Sequence, residues 1–452
     1  MAGTEVDDRP LTMQDLLAWF EKGSKPADRW RVGAEHEKFV FRLGSHDTVA
    51  YEGPNGIKAL LEGLKRFGWS GVYEGETIIG LERGMANVSL EPGGQFELSG
   101  APLETMHDIC AETGEHLQEV KTVADELGLG FLGLGFTPNW RRDQIPVMPK
   151  GRYKIMREYM PKVGSLGLDM MFRTCTVQAN LDYGSEADMV AKFRTSLALQ
   201  PIGTALFANS PFVEGKPSGF LTKRANIWTD TDPNRTGMLD FVFKDGFNFE
   251  TYAQYLLDVP MYFAKRDDQY VDLSGKSFRQ FMAGTLAEMP GDRATIKDFA
   301  DHSTTAFPEV RLKQYLEMRG SDSGPWSRLC ALPALWTGIF YDSQALAAAW
   351  DLCKDWPLED HERLRADVSR LGMKAQIAGR TVQDIAKDMV AIAKSGLKNR
   401  NRLSGGMVDE TGYLAELEEI ADSGMTPADR LLELYNGPWQ GDVTPVFDAF
   451  AY

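Results

Sequence analysis

Two periodicities of apolar and polar residues run along the chain. Alternating runs rich in β-formers predict strands over 30–43, 78–83, 86–91, 93–99, 130–136, 171–182 and 308–319. Helical spacing predicts helices over 11–22, 56–67, 104–127 and 186–208, with further helices from about 328 to the end. Residues 215–247, rich in Gly, Pro, Asp and Asn, indicate a long structured loop. Because strands and helices do not alternate regularly, the pattern predicts an α+β fold.

The chain shows no internal break. Its 452 residues contain neither a linker rich in proline or serine nor an internal repeat. We therefore expect one large body, with a main domain over 1–360 and a helical C-terminal extension over 361–452 packed on that domain.

Four predicted strands look buried but carry polar side chains on one face, where a buried strand would be expected to be apolar. Residues two apart on a strand share a face, so the polar sets are Glu35 and Glu37; Glu91, Gln95 and Glu97; Thr174, Thr176, Gln178, Asn180 and Asp182; and Glu309, Arg311, Lys313, Tyr315, Glu317 and Arg319. A bulge at the glycines 93–94 would change the second set. One such face alone is more typical of the solvent side of an antiparallel sheet. Four together indicate a site for Mg²⁺ and a nucleotide, since Mg²⁺ prefers oxygen ligands and arginine binds phosphate.

The charge of the chain argues against two classes of partner. There are 65 Asp and Glu against 49 Lys and Arg, a net charge of −16. Nucleic acids and anionic membranes attract basic surfaces, so we expect neither as a partner. No apolar run reaches the roughly 18 residues of a membrane span, and the stretch 1–10 is polar, without the apolar centre of a signal peptide. These features predict a cytoplasmic protein.

Cysteine and histidine usage argues against a disulfide scaffold and against a zinc site. The 4 cysteines are scattered, and none of the 6 histidines belongs to a metal-binding pair. The glycine-rich stretch 128–133 matches a dinucleotide-binding spacing, but a predicted helix precedes it where that motif needs a strand. Any bound metal is therefore expected to have oxygen ligands.

Six runs of the sequence are long and unusual enough to indicate a family. They are GAEHEKFVF (33–41), EPGGQFELSGAPLET (91–105), FRTCTVQANLDY (172–183), ALFANSPFVEGKPSGF (205–220), NIWTDTDPNRTGM (226–238) and FPEVRLKQYLEMRGSDSGPWSRLCALPALW (307–336). In these runs the chain resembles the glutamate–cysteine ligase family shared by plants and many proteobacteria. The resemblance implies the fold of glutamine synthetase and the guanidino kinases. In that fold a curved, mainly antiparallel sheet has the active site in its concave cup and helices on its convex side.

The resemblance also implies a metal and nucleotide site. The expected Mg²⁺ ligands are Glu35, Glu37, Glu91, Glu97, Glu317 and, as a neutral ligand, Gln178. We expect Arg319 to contact phosphate and take Arg319 and Glu317 as the catalytic pair. Arg311 and Lys313 are weaker candidates for nucleotide contact.

A second group of residues is expected to bind the amino-acid substrate. The resemblance places the glutamate site in the loop 224–238, where Arg224 or Arg235 would hold the α-carboxylate. Further expected substrate contacts are Asn180, Trp228 and Tyr262. Arg173, on the opposite face of its predicted strand, is expected to be structural.

The activity implied is the ATP-dependent ligation of L-glutamate to L-cysteine, the first step of glutathione biosynthesis. The γ-carboxylate takes the γ-phosphoryl group of ATP, and the cysteine amine then displaces phosphate to give γ-glutamylcysteine. ATP is the co-substrate, two or three Mg²⁺ ions are implied, and the enzyme is expected to be a monomer or homodimer. The alternatives are a γ-glutamyl ligase with another amine acceptor, a guanidino-type phosphotransferase and an inactive binding module.

Two cysteine positions bear on how this chain relates to plant members. Plant members carry a cysteine pair in the segment matching 270–291, where this chain has Leu273 and Glu288. A second family pair matches Cys110 and Cys330, for which we favour two free thiols in a reducing cytosol over a reversible disulfide. No transit peptide is recognisable, which predicts a bacterial protein.

Overall fold

The computed structural model describes residues 10–267, 269–406 and 408–452. Residues 1–9, from which the absence of a signal peptide was mainly predicted, lie outside these ranges. The strands are β1 Val32–Arg42, β2 Ser70–Glu74, β3 Thr77–Arg83, β4 Ala86–Leu90, β5 Phe96–Ser99, β6 Leu129–Leu132, β7 Thr176–Leu181, β8 Phe212–Val213, β9 Lys216–Pro217, β10 Thr236–Gly237, β11 Phe263–Arg266, β12 Gln269–Asp272, β13 Phe307–Pro308, β14 Val310–Leu312, β15 Leu316–Asp322, β16 Gln376–Ile377 and β17 Arg380–Thr381.

Helices make up most of the remaining structure. They are α1 Met13–Glu21, α2 Ile57–Leu64, α3 Met106–Leu127, α4 Gly151–Tyr159, α5 Gly167–Arg173, α6 Glu186–Leu206, α7 Lys223–Trp228, α8 Phe249–Asp258, α9 Phe278–Ala283, α10 Ile296–Ser303, α11 Trp326–Phe340, α12 Ser343–Cys353, α13 Leu358–Leu371, α14 Val382–Arg400, α15 Ala415–Ser423, α16 Pro427–Asn436 and α17 Val446–Ala449.

An antiparallel sheet organises the fold. Within the described ranges it has nine strands in the order β14-β15-β7-β1-β5-β4-β3-β2, and β6 pairs with the far end of β1. Its strand pairings are antiparallel. Helices α3, α6 and α11 pack against it. The predicted α+β class is therefore confirmed.

Local sequence explains the bounds of the helices that cover the sheet. α3 begins after Thr105, which forms a reciprocal capping box with Asp108. It ends at Gly128, whose φ of +66° is a left-handed conformation that glycine adopts without strain. In α11, every residue from Leu329 to Phe340 is buried, which explains why its sequence shows no amphipathic period.

Three predicted strands were partly wrong. The run 308–319 is a hairpin in which the turn 313–315 joins β14 to β15. In 171–182, helix α5 occupies the first residues and the strand begins only at Thr176. Residues 91–95 form a turn closed by a hydrogen bond from the Glu91 amide to the Gln95 carbonyl, at 2.9 Å. Here Gly94 has a φ of +84°, so the glycine pair marks a turn rather than a bulge.

The C-terminal helices pack on the body that carries the sheet. Helix α13 contacts α6 and α7, and α14 contacts α11 and α12. The boundary at residue 360 stays a prediction. Among the helices of the described ranges, none combines the length and apolarity that a membrane crossing requires.

Two of the cysteines lie together between covering helices. Cys110 of α3 and Cys330 of α11 form a disulfide with their Cα atoms 5.7 Å apart, a separation ordinary for such a bond. The geometry thus permits a disulfide, which the sequence analysis ranked behind two free thiols. Electrophoresis of the protein with and without reductant distinguishes the bond from two free thiols, because only the bonded form changes mobility on reduction.

Candidate active site

The register of the strands brings the predicted polar side chains into three rows on one face of the sheet. Residues opposite each other on neighbouring strands point to the same face. The rows are Ser89, Glu97 and Glu37 across β4, β5 and β1; Asn87, Ser99, Glu35 and Gln178 across β4, β5, β1 and β7; and Asn180, Glu317 and Arg311 across β7, β15 and β14. Residues far apart in sequence therefore share one surface.

Seven of the ten residues in these rows line a cavity of about 350 Å³; Asn87, Ser89 and Asn180 do not. Its wall includes the five predicted carboxylates, Gln178 and the three predicted cations of the hairpin, Arg311, Lys313 and Arg319. The remaining wall comes from α4, α5, α7 and the segments around residues 263 and 304–307, and includes Arg152, Met156, Met170, Arg224, Trp228, Phe263, Thr305 and Phe307. The cavity thus combines acidic, basic and aromatic groups, as a nucleotide and an amino acid would require.

Three carboxylates of the wall are crowded and held in place. Burial, reinforced by the negative charges of Glu317 and Glu97, raises the pKa of Glu35 to about 7. Burial and the charges of Glu91 and Glu97 likewise raise the pKa of Glu37 well above its usual range. Burial and Glu91 raise the pKa of Glu97.

Hydrogen bonds fix the orientation of the same carboxylates. Glu35 Oε1 accepts from Asn180 Nδ2 at 2.7 Å. Glu37 Oε2 accepts from the Thr176 amide at 2.9 Å. Glu97 accepts from the hydroxyls of Ser89 and Ser99, at 2.9 and 3.1 Å. The carboxylates are therefore preorganised on the cavity wall.

Glu317 lies in a different electrostatic environment. Its side chain is fully buried, accepts hydrogen bonds from Arg311 and Arg319, and forms an ion pair with Lys313 at 3.1 Å. Arg311 donates from both Nε and Nη2, at 3.0 and 2.8 Å. Burial alone would raise the pKa of Glu317, but these three cations hold it well below the usual range. Both oxygens of the Glu317 carboxylate already accept from these donors. The geometry therefore favours a role for Glu317 in orienting the cations, rather than the predicted role as a metal ligand.

The three cations around Glu317 are not equivalent. Arg311 is committed to internal contacts, since its Nη1 also donates to the carbonyls of Thr304 and Ala306, at 2.6 and 3.0 Å. Arg319 donates from Nη1 to Glu317 Oε1 at 2.6 Å and to Gln178 Oε1 at 2.9 Å. Among the nucleotide candidates, the geometry therefore favours Arg319 and Lys313 over Arg311.

Helix α7 carries the predicted amino-acid site. Its N-cap Thr222 donates to the buried Asp322 at 2.8 Å, and Ser210 donates to the other oxygen of that carboxylate at 2.7 Å. Arg224 and Trp228, one turn apart, both line the cavity. The Arg224 Nη2 donates to the Arg319 carbonyl at 2.9 Å, which connects α7 to β15.

Two polar atoms of this helix are buried without a hydrogen-bond partner among the described residues. They are Arg224 Nε and Trp228 Nε1. Buried donors of this kind normally have partners in folded proteins. Their presence in the wall of a cavity is the arrangement expected where a ligand supplies the acceptors.

Three predicted substrate contacts do not line the cavity. Arg235 is fully buried, pairs with Asp232 at 2.6 Å and donates to the carbonyls of Thr305 and Pro260, at 3.0 and 2.7 Å. Its guanidinium lies 3.9 Å from the centre of the Tyr262 ring, which is also buried. Asn180 holds Glu35. Of the two arginines proposed for the α-carboxylate, the geometry therefore favours Arg224.

Arg173, expected to be structural, is buried outside the cavity and donates to the Trp140 carbonyl at 2.8 Å.

The cavity also contains residues that the sequence analysis did not select. Arg152, in the first turn of α4, lies close enough to Glu91 to interact with its charge. Phe307 packs against Trp228 with ring centres 5.8 Å apart. A signal for Arg152 was the basic cluster at 150–154 in an acidic chain. Phe307, one apolar residue beside Pro308, had no comparable signal.

The chemistry of the donor set fits a divalent cation. Within the described residues, no three Asp, Glu, His or Cys side chains converge closely enough to hold a metal ion. Glu35, Glu37, Glu91 and Glu97 nevertheless offer the hard oxygen ligands that Mg²⁺ prefers. Burial is the main cause of the raised pKa values of Glu35, Glu37 and Glu97, and the negative charges of neighbouring carboxylates add to it. A bound cation would offset that repulsion.

Comparison with known proteins gives consistent results. The family model described as glutamate-cysteine ligase family 2 matches residues 31–449. The chain is 57% identical to the chloroplastic glutamate–cysteine ligase of Nicotiana tabacum, over 99% of this chain and 84% of the relative. It is 56% identical to that of Medicago truncatula, over 99% of this chain and 86% of the relative.

A solved structure supports the fold at lower sequence similarity. Glutamate–cysteine ligase from Francisella tularensis, in complex with AMP, superposes with a TM-score of 0.56 at 13% identity, covering 93% of this chain and 89% of that one. At this identity the likeness concerns the fold alone.

These relatives correct one prediction and settle the family. The predicted location in a bacterial cytoplasm is wrong, because the relatives at 54 to 57% identity are plant chloroplast proteins and point to a plastid. The matched length and the high identity over nearly the whole chain also confirm the resemblance seen in the sequence. The chain belongs to the glutamate–cysteine ligase family of the plant type.

Proposed function

We propose that this protein is a glutamate–cysteine ligase that uses ATP to join the γ-carboxylate of L-glutamate to the amine of L-cysteine. The products are γ-glutamylcysteine, ADP and phosphate, and the reaction is the first step of glutathione biosynthesis. The observation that carries the proposal is the cavity itself. Crowded carboxylates, a buried Glu317 with three cations, and the Arg224–Trp228 wall all meet there in a chain of this family.

The first chemical step forms an acyl phosphate. An oxygen of the γ-carboxylate attacks the γ-phosphorus of ATP, the bond to the β,γ-bridging oxygen breaks, and ADP leaves with that oxygen. Arg319 and Lys313, oriented by Glu317, supply positive charge to the transferring phosphoryl group. Mg²⁺ bound by Glu35, Glu37, Glu91 and Glu97, with Gln178 as a neutral ligand, would add Lewis-acid stabilisation of the phosphate oxygens.

Binding of glutamate is assigned to α7. Arg224 supplies a guanidinium for the α-carboxylate, for which its planar fork is well suited. Trp228 and Phe307 provide an apolar wall beside it. Holding glutamate by its α-carboxylate directs the γ-carboxylate toward Arg319 and Lys313. This fixed orientation reduces the entropic cost of the reaction.

The second step releases phosphate. The cysteine amine attacks the carbonyl carbon of γ-glutamyl phosphate, the carbon–oxygen bond breaks, and phosphate leaves with the oxygen that came from glutamate. The nitrogen then loses a proton to give the neutral amide. Water must be kept from the acyl phosphate during this interval, which a partly enclosed cavity favours.

The proposal is tested by measuring ADP and identifying products by mass with purified protein, ATP, Mg²⁺ and glutamate. Parallel reactions contain cysteine, 2-aminobutyrate, ammonia or no acceptor, and a set without Mg²⁺ is the metal control. We expect ADP release that depends on cysteine and Mg²⁺ and a product with the mass of γ-glutamylcysteine. Turnover with ammonia but not cysteine would assign the protein to another γ-glutamyl ligase. A phosphorylated product with no amide would assign it to a phosphotransferase.

A further inference from the structure

Helix α13, in the segment expected to be a C-terminal extension, lies against the amino-acid end of the cavity. It contacts α7, and the Ser369 carbonyl accepts from the amides of Leu221 and Thr222, at 2.9 and 3.1 Å. Its Glu362 accepts from the Met238 amide at 2.8 Å. The helix therefore holds the backbone on both sides of the predicted glutamate loop.

Arg365 of α13 contacts the same wall more directly. Its side chain is 9% exposed, and its Nη2 donates to the Trp228 carbonyl at 2.9 Å. Its Nε donates to Glu309 Oε1 at 2.5 Å, and its Nη1 donates to Glu362 Oε2 at 3.2 Å. The three nitrogens of the guanidinium thus bind three separate groups.

The contact with Trp228 has a clear physical basis. Trp228 is the last residue of α7, and the carbonyl groups of a last helical turn have no partner within their own helix. A cation at this end also interacts favourably with the helix dipole. Arg365 therefore determines where the C-terminal end of α7, and with it the Trp228 side chain, is held.

The contact with Glu309 joins this wall to the nucleotide side. The Glu309 carbonyl accepts from the Arg319 amide at 3.1 Å, and the Glu309 amide donates to the Gly237 carbonyl at 3.2 Å. Through Glu309, the guanidinium of Arg365 connects the α7 end of the cavity to the strand that carries Arg319. Arg365 itself is not among the residues that line the cavity.

We propose that Arg365 is a positioning residue that sets the glutamate subsite by holding the Trp228 end of α7 against the β14–β15 hairpin. The inference rests on the proposed function, because it takes the Arg224–Trp228 wall as the glutamate site. It assigns part of that site to a helix that lies mostly in the predicted C-terminal extension, outside the predicted main domain. The planar fork of arginine is required, since a lysine amine cannot reach Trp228 and Glu309 in the same geometry.

The test uses full-length Arg365→Lys and Arg365→Met, with Arg363→Gln as the matched control. Arg363 is on the same helix, but its side chain is 55% exposed and pairs with Asp360, three residues before it. For Arg365→Lys we expect the KM and Kd for glutamate to rise about 10- to 100-fold, as small displacements of a substrate-positioning group do. The KM for ATP should change less than about twofold, and Arg363→Gln should match the wild type.

The readouts separate positioning from folding. Glutamate binding is measured by calorimetry beside steady-state kinetics, and thermal unfolding is recorded for every variant. A lower active fraction with unchanged KM and Kd for glutamate would show a purely structural role and overturn the inference. If Arg365→Met does not fold, Arg365→Lys still tests the positioning role, because lysine keeps the positive charge that pairs with Glu309.

The same data distinguish failure of the inference from failure of the proposed function. Wild-type protein that makes γ-glutamylcysteine while Arg365→Lys binds glutamate normally would overturn only the role of Arg365. Wild-type protein that neither binds glutamate nor makes the product would overturn both.

Discussion

Replacement of Arg319 with glutamine should lower kcat by about 100- to 1,000-fold, the usual effect of removing one donor that stabilises charge in a transition state. The guanidinium lies on the cavity wall, oriented by Glu317 and Gln178. Its charge is needed most when negative charge moves onto the leaving ADP. We therefore expect the KM for glutamate to change little, since Arg319 is assigned to the phosphoryl group and not to the amino acid.

Single-turnover kinetics with quenched-flow measurement of ADP would check this expectation. Arg279→Gln is a suitable control, because that arginine is on the surface and pairs with Asp258 away from the cavity. A kcat for Arg319→Gln within about threefold of the wild type would contradict the assignment of Arg319 to phosphoryl transfer.

Replacement of Glu317 with glutamine should destabilise the fold by about 3–5 kcal/mol, the range found when one partner of a buried ion pair is removed. Glu317 is fully buried and faces Arg311, Lys313 and Arg319. An amide of the same shape leaves these three cations without the carboxylate that offsets their mutual repulsion. Activity should also fall, because Arg319 loses the group that orients it.

Urea unfolding followed by circular dichroism measures the change in stability. The control is Glu62→Gln, which removes an exposed carboxylate paired with Lys65 and should leave the urea midpoint unchanged. If Glu317→Gln lost activity with an unchanged free energy of unfolding, the orienting role would be contradicted and the metal-ligand role predicted from the resemblance would be favoured.

The polar face of the sheet could be predicted because strand parity depends only on local spacing. Glu35 and Glu37 lie on one regular strand, so the prediction that they share a face was straightforward. The hairpin was missed for an instructive reason. Its turn contains three residues, 313–315, so Arg311 and Glu317 are register partners and keep the parity that a single strand would give. The incorrect strand therefore still led to the correct face.

The choice between arginines could not be made from sequence. Arg224 and Arg235 both fall in the stretch 215–247 that the sequence predicted to be a loop, and both side chains are fully or nearly fully buried. The two arginines differ in their contacts with residues that are distant in the sequence. The guanidinium of Arg235 meets Asp232 and the carbonyls of Thr305 and Pro260, whereas Arg224 lines the cavity. Contacts of this kind depend on tertiary packing, which local patterns do not encode.

The predicted division into a main domain and a C-terminal extension was limited in the same way, because it used local patterns alone. The run of helices predicted from about 328 to the end suggested a helical extension, placed at 361–452. The structure has α13 to α17 in this part of the chain, with the short strands β16 and β17 between α13 and α14. Sequence alone did not show that α13 contacts α7 or that Arg365 reaches the Trp228 carbonyl. A helix can be regular in sequence and still contribute to a site through one buried side chain.

In the proposed reaction, the cavity activates glutamate as an acyl phosphate before the amine attacks. Running the reaction with L-glutamate labelled with ¹⁸O in the γ-carboxylate, and analysing the released phosphate by mass spectrometry, tests for this intermediate. Our account predicts that each phosphate carries one oxygen atom from glutamate, because that oxygen bridges carbon and phosphorus in the intermediate. Phosphate without the label, formed together with γ-glutamylcysteine, would contradict the acyl phosphate and the roles assigned to the groups around it.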